Sequence, residues 1–382
     1  MNSDAPLPYS SQWLDADDIE AVVRVLRGDW LTTGPAVEQF ERALTAATGC
    51  GHAVAVSSGT AALHAAYAAA GLGPGMELVT SPLTFVATAS AGLMLGASIR
   101  FADIDPATGN IDPHAAAAAL GERTRLLVAV DYAGHPADYD RLRELCAAYD
   151  TTLVADAAHS LGATSRGRKV GTLADVSTLS FHPVKTITTA EGGAVLSTDA
   201  ALAAAARRFR NHGIERDERH LERRGPGWYY EVQTLGLNYR LPDVLCALGI
   251  SQLTKLDRFV AARRALARHY AEGLRDLPGL ELPVEQAGIE SSWHLYVVRV
   301  GEAARRDALY KALHARGIHA QVHYIPVYHY PLFRTLGYRQ GLCPIAEDFS
   351  ARALSIPLFP RMQPADADRV VDAVRSAVSE TL

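Results

Sequence analysis

Lysine is scarce in this chain: Lys169, Lys185, Lys255 and Lys311 are four among 37 basic residues, so arginine carries nearly every routine positive charge. Cysteine is as rare. Cys50, Cys146, Cys246 and Cys343 form no C-x-x-C pair, which argues against a disulfide framework and against a metal site of the zinc type. No basic block interleaves with aromatics, and 37 Lys+Arg against 42 Asp+Glu leaves a formal net charge of −5, so no nucleic-acid partner is expected. The most apolar stretch, Ala61 to Ala70, carries His64 and is bounded by glycines, well short of the roughly 20 apolar residues a bilayer span needs. No membrane partner is expected either. The opening MNSDAPLPYSSQW is polar and acidic, without the basic region and apolar run of a secretion signal, which predicts a cytoplasmic protein.

What is present fits a packed globular protein: 382 residues, 48% hydrophobic and 21% charged. That length exceeds an ordinary domain and predicts a large and a smaller one with a cleft between them. From residue 52 to about 200, short β-branched runs alternate with Ala-rich helical segments: HAVAVS with GTAALHAAYAAAG, ELVTS with LTFVATASAGLMLG, SIRFADI with DPHAAAAAL, RLLVAVDY with DYDRLRELCAAYD. The repeat predicts an α/β protein with a mostly parallel, buried sheet. Asp112-Pro113 reads as an N-cap followed by proline at the first helical position, and Asp15 opens the amphipathic run DDIEAVVRVLRG. Residues 211–236 form a charged, aromatic stretch without periodicity, longer than an ordinary loop. After Pro242 one long helical pattern runs to Leu274, and SWHLYVVRV and RRDALYKALHARG suggest a smaller α+β unit. The boundary is placed near 250, giving a large domain over 1–250 and a small one over 251–382.

A chain this poor in lysine can be expected to keep one where a primary amine with a shiftable pKa is needed, because a guanidinium cannot form a Schiff base. Lys169 sits in the hairpin-like turn RGRKVG, while Lys255 and Lys311 fall in helical patterns where a solvated face is the simplest reading. Lys185, in SFHPVKTITTAEGGAV, follows a strand and is surrounded by hydroxyls; its context suits catalysis and structure equally. The strand TTLVAD ends in Asp156, at the carboxyl end where parallel sheets present ligand-binding groups. Asp156 can pair with a protonated pyridine nitrogen or simply cap a helix, and His159 can lie beside such a ring or be a hydrogen-bonded histidine near a helix start. AVAVSSGTAALH reads strand, turn, helix, so Gly59 and Thr60 offer N–H groups to a phosphate or belong to an ordinary cap. Ser180 can add a hydroxyl to that phosphate, and Phe85 can stack on a flat ring or fill the core.

These motifs stand in a familiar order. PYSSQWLDADDIEAVVRVL, WLTTGPAVEQFE, VAVSSGTAALH, VADAAHSLGA, SFHPVKTITTAEGGAV, RNHGI, LGLNYRLPDVLCALG and SIPLFP resemble the DegT-type, pyridoxal-phosphate-dependent sugar aminotransferases of fold type I, relatives of aspartate aminotransferase. The resemblance spans nearly the whole chain and implies a seven-stranded-type, mostly parallel sheet with a smaller C-terminal α+β domain. SFHPVK, RNHGI and VHYIPVYHYPLF look most like the branch that aminates UDP-linked 4-keto-6-deoxy-N-acetylhexosamines on the pseudaminic acid pathway.

By resemblance, pyridoxal 5′-phosphate is the cofactor and Lys185 forms its internal aldimine, then moves a proton as general base and acid. Asp156 pairs the ring nitrogen, Phe85 stacks on the ring, His159 contacts its hydroxyl edge, and Gly59, Thr60 and Ser180 bind the phosphate. Asn238 reaches the cofactor phosphate of a neighbouring subunit, which implies a homodimer with a shared active site. Arg240 is a candidate for an anionic group of the donor or of the nucleotide sugar. Tyr9, Thr33, His323, Tyr324 and His329 can line the sugar-nucleotide site, or serve as buried aromatics, a turn hydroxyl and structural histidines. The implied reaction takes an amine from L-glutamate and gives it to a nucleotide-linked keto sugar. Rival readings are an aminotransferase for a 3-keto sugar or cyclitol ketone, a keto-sugar dehydratase of the same fold, against which Lys185 argues, and a non-catalytic sugar-nucleotide-binding protein.

Overall fold

The computed structural model describes residues 5–381. Two capped helices lead into it. Helix α1 (Ala16–Leu26) opens at Asp15, whose carboxylate accepts the Asp17 N–H while the Asp18 carboxylate accepts the Asp15 N–H. Helix α2 (Pro35–Thr48) starts on proline and stops at Gly49, which is left-handed at φ 78°.

The predicted alternation follows as β1 (His52–Val56), α3 (Gly59–Ala69), β2 (Glu77–Thr80), α4 (Ala87–Met94), β3 (Ser98–Phe101), α5 (Pro113–Ala119), β4 (Thr124–Val130), α6 (Tyr139–Tyr149) and β5 (Thr152–Asp156). A short hairpin, β6 (Thr164–Ser165) and β7 (Arg168–Lys169), precedes β8 (Val176–Ser180), β9 (Gly193–Ser197) and α7 (Ala200–Arg210). Asp112 caps α5 through the His114 N–H, with Pro113 at its first position as the sequence predicts. The large sheet has seven strands in the order β1-β9-β8-β5-β4-β2-β3. Only β9 runs against its neighbours β1 and β8; the other pairs are parallel. Side chains alternate across the pleat. Ala53 and Ala55 pack on one face with α2, α5 and α6, whereas Val54 and Val56 pack on the other with α3, α4 and α7. Burial on both faces is why these strands read as unbroken apolar runs.

The segment 211–236 contains only the two-residue ladder of β10 (Ile214–Glu215) and β11 (Glu231–Val232). The helical pattern beyond it is not continuous: α8 (Asp243–Leu253) and α9 (Leu256–Leu274) part at Thr254–Lys255. Lys255 corrects its sequence reading, for it is buried rather than solvated. Its ammonium contacts Asp15 and lies 2.8 Å from Asp18, which also accepts Ser251 Oγ (2.6 Å) and Gln252 Nε2 (2.8 Å). The break thus lies where α8 is tied to the start of α1. Leu256, Phe259 and Val260 of α9 join the core of the large sheet, while Leu266, Ala267, Tyr270 and Leu274 join the third core cluster.

That third cluster surrounds a small antiparallel sheet. It is made of β12 (Leu280–Glu281), β14 (Tyr296–Val300) and β15 (Ala353–Ile356), with β14 central; β13 (Ile289–Glu290) pairs instead with β6. Helices α10 (Ala303–Ala315), α11 (Pro331–Thr335), α12 (Pro344–Arg352) and α13 (Pro364–Thr381) complete the chain. A mostly parallel seven-stranded sheet with a smaller C-terminal α+β unit is the architecture of fold type I. Among the described residues no helix is long and apolar enough to cross a membrane.

Candidate active site

The carboxyl ends of β4, β5 and β8 and the β1–α3 turn open on a single cavity of about 470 Å³. Lys185, half-buried, lines it together with Asp156, His159 and Ser180. Gly59, Thr60 and Phe85 also line it, as do Tyr9, His323 and Tyr324. Residues far apart in the chain thus meet at one place.

The turn before α3 is built for an anion. Ser58 caps the helix by accepting the Ala61 N–H at 3.0 Å, which spends the serine and leaves the Gly59 and Thr60 N–H groups, with no carbonyl four residues back inside the helix, at its positive end. Ser180 ends β8 beside them. A Cβ added at Gly59 would lie 2.8 Å from Ser180 Cβ, so only glycine allows the turn to approach the strand this closely.

Asp156 ends β5. No helix begins after it, so the capping alternative fails; residues 158–162 form turns, and Oδ1 accepts only the Ala158 N–H at 3.3 Å. Oδ2 accepts Thr88 Oγ1 at 2.6 Å, and Thr88 in turn shares a 2.7 Å bond with Thr84. Burial pushes the carboxyl above its ordinary range, with Thr88, Ala158 and the Lys185 charge pulling the other way. A buried carboxylate of this kind is satisfied by a cationic partner. Burial also draws Lys185 down to about 8; Asp156 opposes that shift and Arg263 adds to it. A fall of that size enlarges the share of free amine near neutrality, the form that a nucleophile or base requires.

His159 places Nε2 3.2 Å from the Tyr324 hydroxyl and leaves Nδ1 buried without a partner among the described residues. Burial, and then the nearby positive charges, hold it well below the ordinary histidine range, so its ring is neutral. His323 Nδ1 lies 2.9 Å from Ser355 Oγ and is pushed down to about 4, chiefly by burial. Phe85 is 57% exposed, which excludes the core reading and leaves a ring free at the cavity mouth, 6.3 Å from Tyr324.

Four predicted residues lie elsewhere. Thr33 and Arg240 line a separate cavity of about 740 Å³, where Arg240 donates to Asn211 Oδ1 at 2.7 Å and the Thr33 hydroxyl donates to Thr32 O. Asn238 is exposed beside Asn211 on the same face. His329 lies 3.3 Å from Glu347, which also accepts the Tyr328 hydroxyl and the Gly341 N–H, so it takes its structural alternative. Sequence reasoning passed over Thr84, in the bend before α4, and Thr88, in the first turn of α4, because the bend that brings their hydroxyls together is not a local sequence pattern. It also passed over Asp131 at the end of β4, a buried carboxyl that accepts Ser160 Oγ (2.5 Å), Tyr139 OH (2.7 Å) and the Ala137 N–H (3.0 Å), and so braces the turn that carries His159.

The residues fit pyridoxal phosphate by their own chemistry: an anion cradle that a Cβ would fill, a buried carboxylate lacking a bonded cation, an orphaned imidazole nitrogen and an amine whose basicity is lowered. The comparisons agree. Residues 12–375 match the model of the DegT/DnrJ/EryC1/StrS aminotransferase family. The chain is 37% identical over 377 residues to the spore coat polysaccharide biosynthesis protein SpsC of Bacillus subtilis, covering 97% of each chain. Helicobacter pylori PseC, an aminotransferase involved in the biosynthesis of pseudaminic acid, is 33% identical with a TM-score of 0.92 over 98% of this chain and 100% of that one. Spr1654 of Streptococcus pneumoniae in its PLP form matches with the same TM-score at 27% identity, over 99% and 100% of the two chains. PseC is thus one of several comparably near relatives, and the pseudaminic acid branch is not singled out. The chain belongs to the DegT/DnrJ/EryC1/StrS aminotransferase family and is a pyridoxal-phosphate-dependent sugar aminotransferase.

Proposed function

We propose that this enzyme moves an amino group from L-glutamate to the keto carbon of a UDP-linked 4-keto-6-deoxy-N-acetylhexosamine, with Lys185 as the reacting amine. The observation that carries the reading is the convergence of Lys185, Asp156, His159 and the Gly59–Thr60 turn on one cavity. Pyridoxal phosphate, when bound, supplies an electron-withdrawing ring that accepts charge from the substrate carbon. Gly59, Thr60 and Ser180 would hold its phosphate, Asp156 its ring nitrogen and His159 its hydroxyl edge, while Phe85 would cover the ring. Lys185 Nζ would take the proton from the donor's α-carbon as general base and, as general acid, deliver it on the cofactor side instead of back to that carbon. Tyr9, His323 and Tyr324 are placed to meet the sugar.

The choice of sugar is supported by the SFHPVK and VHYIPVYHYPLF motifs and by the similarity to PseC. Asn238 is exposed, as are Trp228, Leu235 and Trp30. We infer that a second copy covers them, bringing Asn238, and with it Thr33 and Arg240, toward the partner's cavity.

Absorbance of the purified protein with pyridoxal phosphate, before and after L-glutamate, tests the donor half. A Lys185-dependent band should form and bleach, and it should be absent from Lys185→Ala. UDP- and dTDP-linked keto sugars then test the acceptor half by product mass. A band that glutamate leaves unchanged rejects the donor, and turnover confined to 3-keto sugars or cyclitol ketones rejects the acceptor.

A further inference from the structure

Arg263 lies on α9 where the two cores meet, with none of its surface exposed. A guanidinium removed from water ordinarily has a carboxylate beside it. This one has carbonyls instead. One terminal nitrogen donates to the main-chain oxygens of Trp293 (3.3 Å), His294 (3.1 Å) and Leu358 (2.9 Å), while Nε and the other terminal nitrogen have no partner among the described residues. Neutral dipoles solvate the charge without cancelling it, so its field extends into surroundings of low polarity.

Neighbours of Arg263 lead to the wall behind Lys185. Phe259, one turn earlier on the same face of α9, and Pro360, two residues past Leu358, share a small crevice with Lys185. His294, whose carbonyl Arg263 binds, packs its ring 4.3 Å from that of His159, which lines the main cavity with Lys185. We propose that Arg263 is a positioning residue for Lys185: a buried cation left without a counter-ion, whose field reaches the amine from behind and favours its neutral form.

The inference rests on Lys185 being the reacting amine. Asp156 opposes Arg263 from the β5 side. His159, His294 and His323 are held neutral by burial and add little charge, and the Tyr324 hydroxyl is kept protonated. His182 and Glu191 line the cavity but are exposed, so solvent screens them. The fall of Lys185 to about 8, caused first by burial and with Arg263 contributing, agrees with the geometry.

The scarcity of lysine makes the test direct. Competitive acetylation of the full chain freed of cofactor, over a pH series and read by peptide mass, gives a midpoint for each of the four lysines, with exposed Lys311 as internal standard. Arg263→Gln removes the charge and keeps an N–H for the carbonyls, Arg263→Lys keeps the charge, and Arg263→Met is a second neutral side chain should the glutamine variant not fold. The neutral variants should raise the Lys185 midpoint by roughly half a pH unit or more, and Arg263→Lys should return it toward the wild-type value. The pH midpoint of the cofactor band in the holoenzyme should move in the same direction. A folded neutral variant with an unchanged Lys185 midpoint, or an Arg263→Lys midpoint displaced as far as that of the neutral variants, overturns the proposal. Acetylation needs neither cofactor nor substrate, so its failure is separate from a failure of the aminotransfer reading.

Discussion

Two cavities of this molecule differ in a way that volume does not predict. The larger, at about 740 Å³, is rich in charge, yet its charges are spent on one another: Glu41 takes Arg207 and Arg210 at 2.7 Å each, Arg208 pairs with Glu215 at 3.0 Å, and Arg240 is bonded to Asn211. The smaller, at about 470 Å³, holds among the described residues a buried carboxylate with no cation bonded to it, an imidazole nitrogen with no partner and an amine displaced from its ordinary pKa. Reactivity follows polar groups that the fold leaves unsatisfied, because those are the groups a cofactor and substrate complete.

The sharpest way to break the comparison is at Lys185. Lys185→Arg keeps a positive charge but loses the nucleophilic amine, and turnover should fall by at least ~10³-fold in a single-turnover assay. Substantial residual transfer would place the chemistry elsewhere. Asp156→Asn should follow, with kcat lower by roughly 10²-fold, since it removes a preorganised charge from a water-poor site. Retained activity would show that the buried carboxylate serves folding alone. Thr88→Val takes away one hydrogen bond to Asp156 and should cost about 1–2 kcal/mol of stability in urea melts, with a few-fold loss of activity.

A fourth expectation concerns pH. Lys185 sits at about 8 in the folded chain against an ordinary 10.5, so between those values the unfolded chain holds a proton that the folded chain has released. Stability therefore rises with pH across that window. Melts of cofactor-free wild type and Lys185→Met should diverge in favour of wild type by up to ~2 kcal/mol between pH 8 and 10.5, and run parallel below pH 8. In the larger cavity Arg240→Ala should leave cofactor absorbance unchanged and alter only KM for the sugar nucleotide. A lost cofactor band in that variant would erase the distinction between the two sites.

Much of the site was legible because its groups stand at chain landmarks. Asp156 and Ser180 end strands, Gly59 and Thr60 open a helix, and Lys185 stands out in a chain with few lysines. The same local logic identified Asp15 and Asp112 as caps. It failed where partners are distant in sequence. Lys255 was read as solvated because its helical context is polar, yet it meets Asp15 and Asp18 some 240 residues away, a contact that also marks the break between α8 and α9.

Local sequence encodes the alternation of strand and helix, the helix caps, the family and the residue types gathered at the candidate site, since each depends on nearest neighbours or on a motif of a few residues. Only the tertiary structure decided which of those residues share a cavity. It separated Thr33, Arg240, Asn238 and His329 from Lys185, and it set Phe259 of the bridging helix, one turn from Arg263, in a crevice shared with Lys185. Burial, and with it the displaced pKa values of Lys185, Asp156 and His159, is created only when distant elements close over a group, and no local stretch of chain encodes that closure.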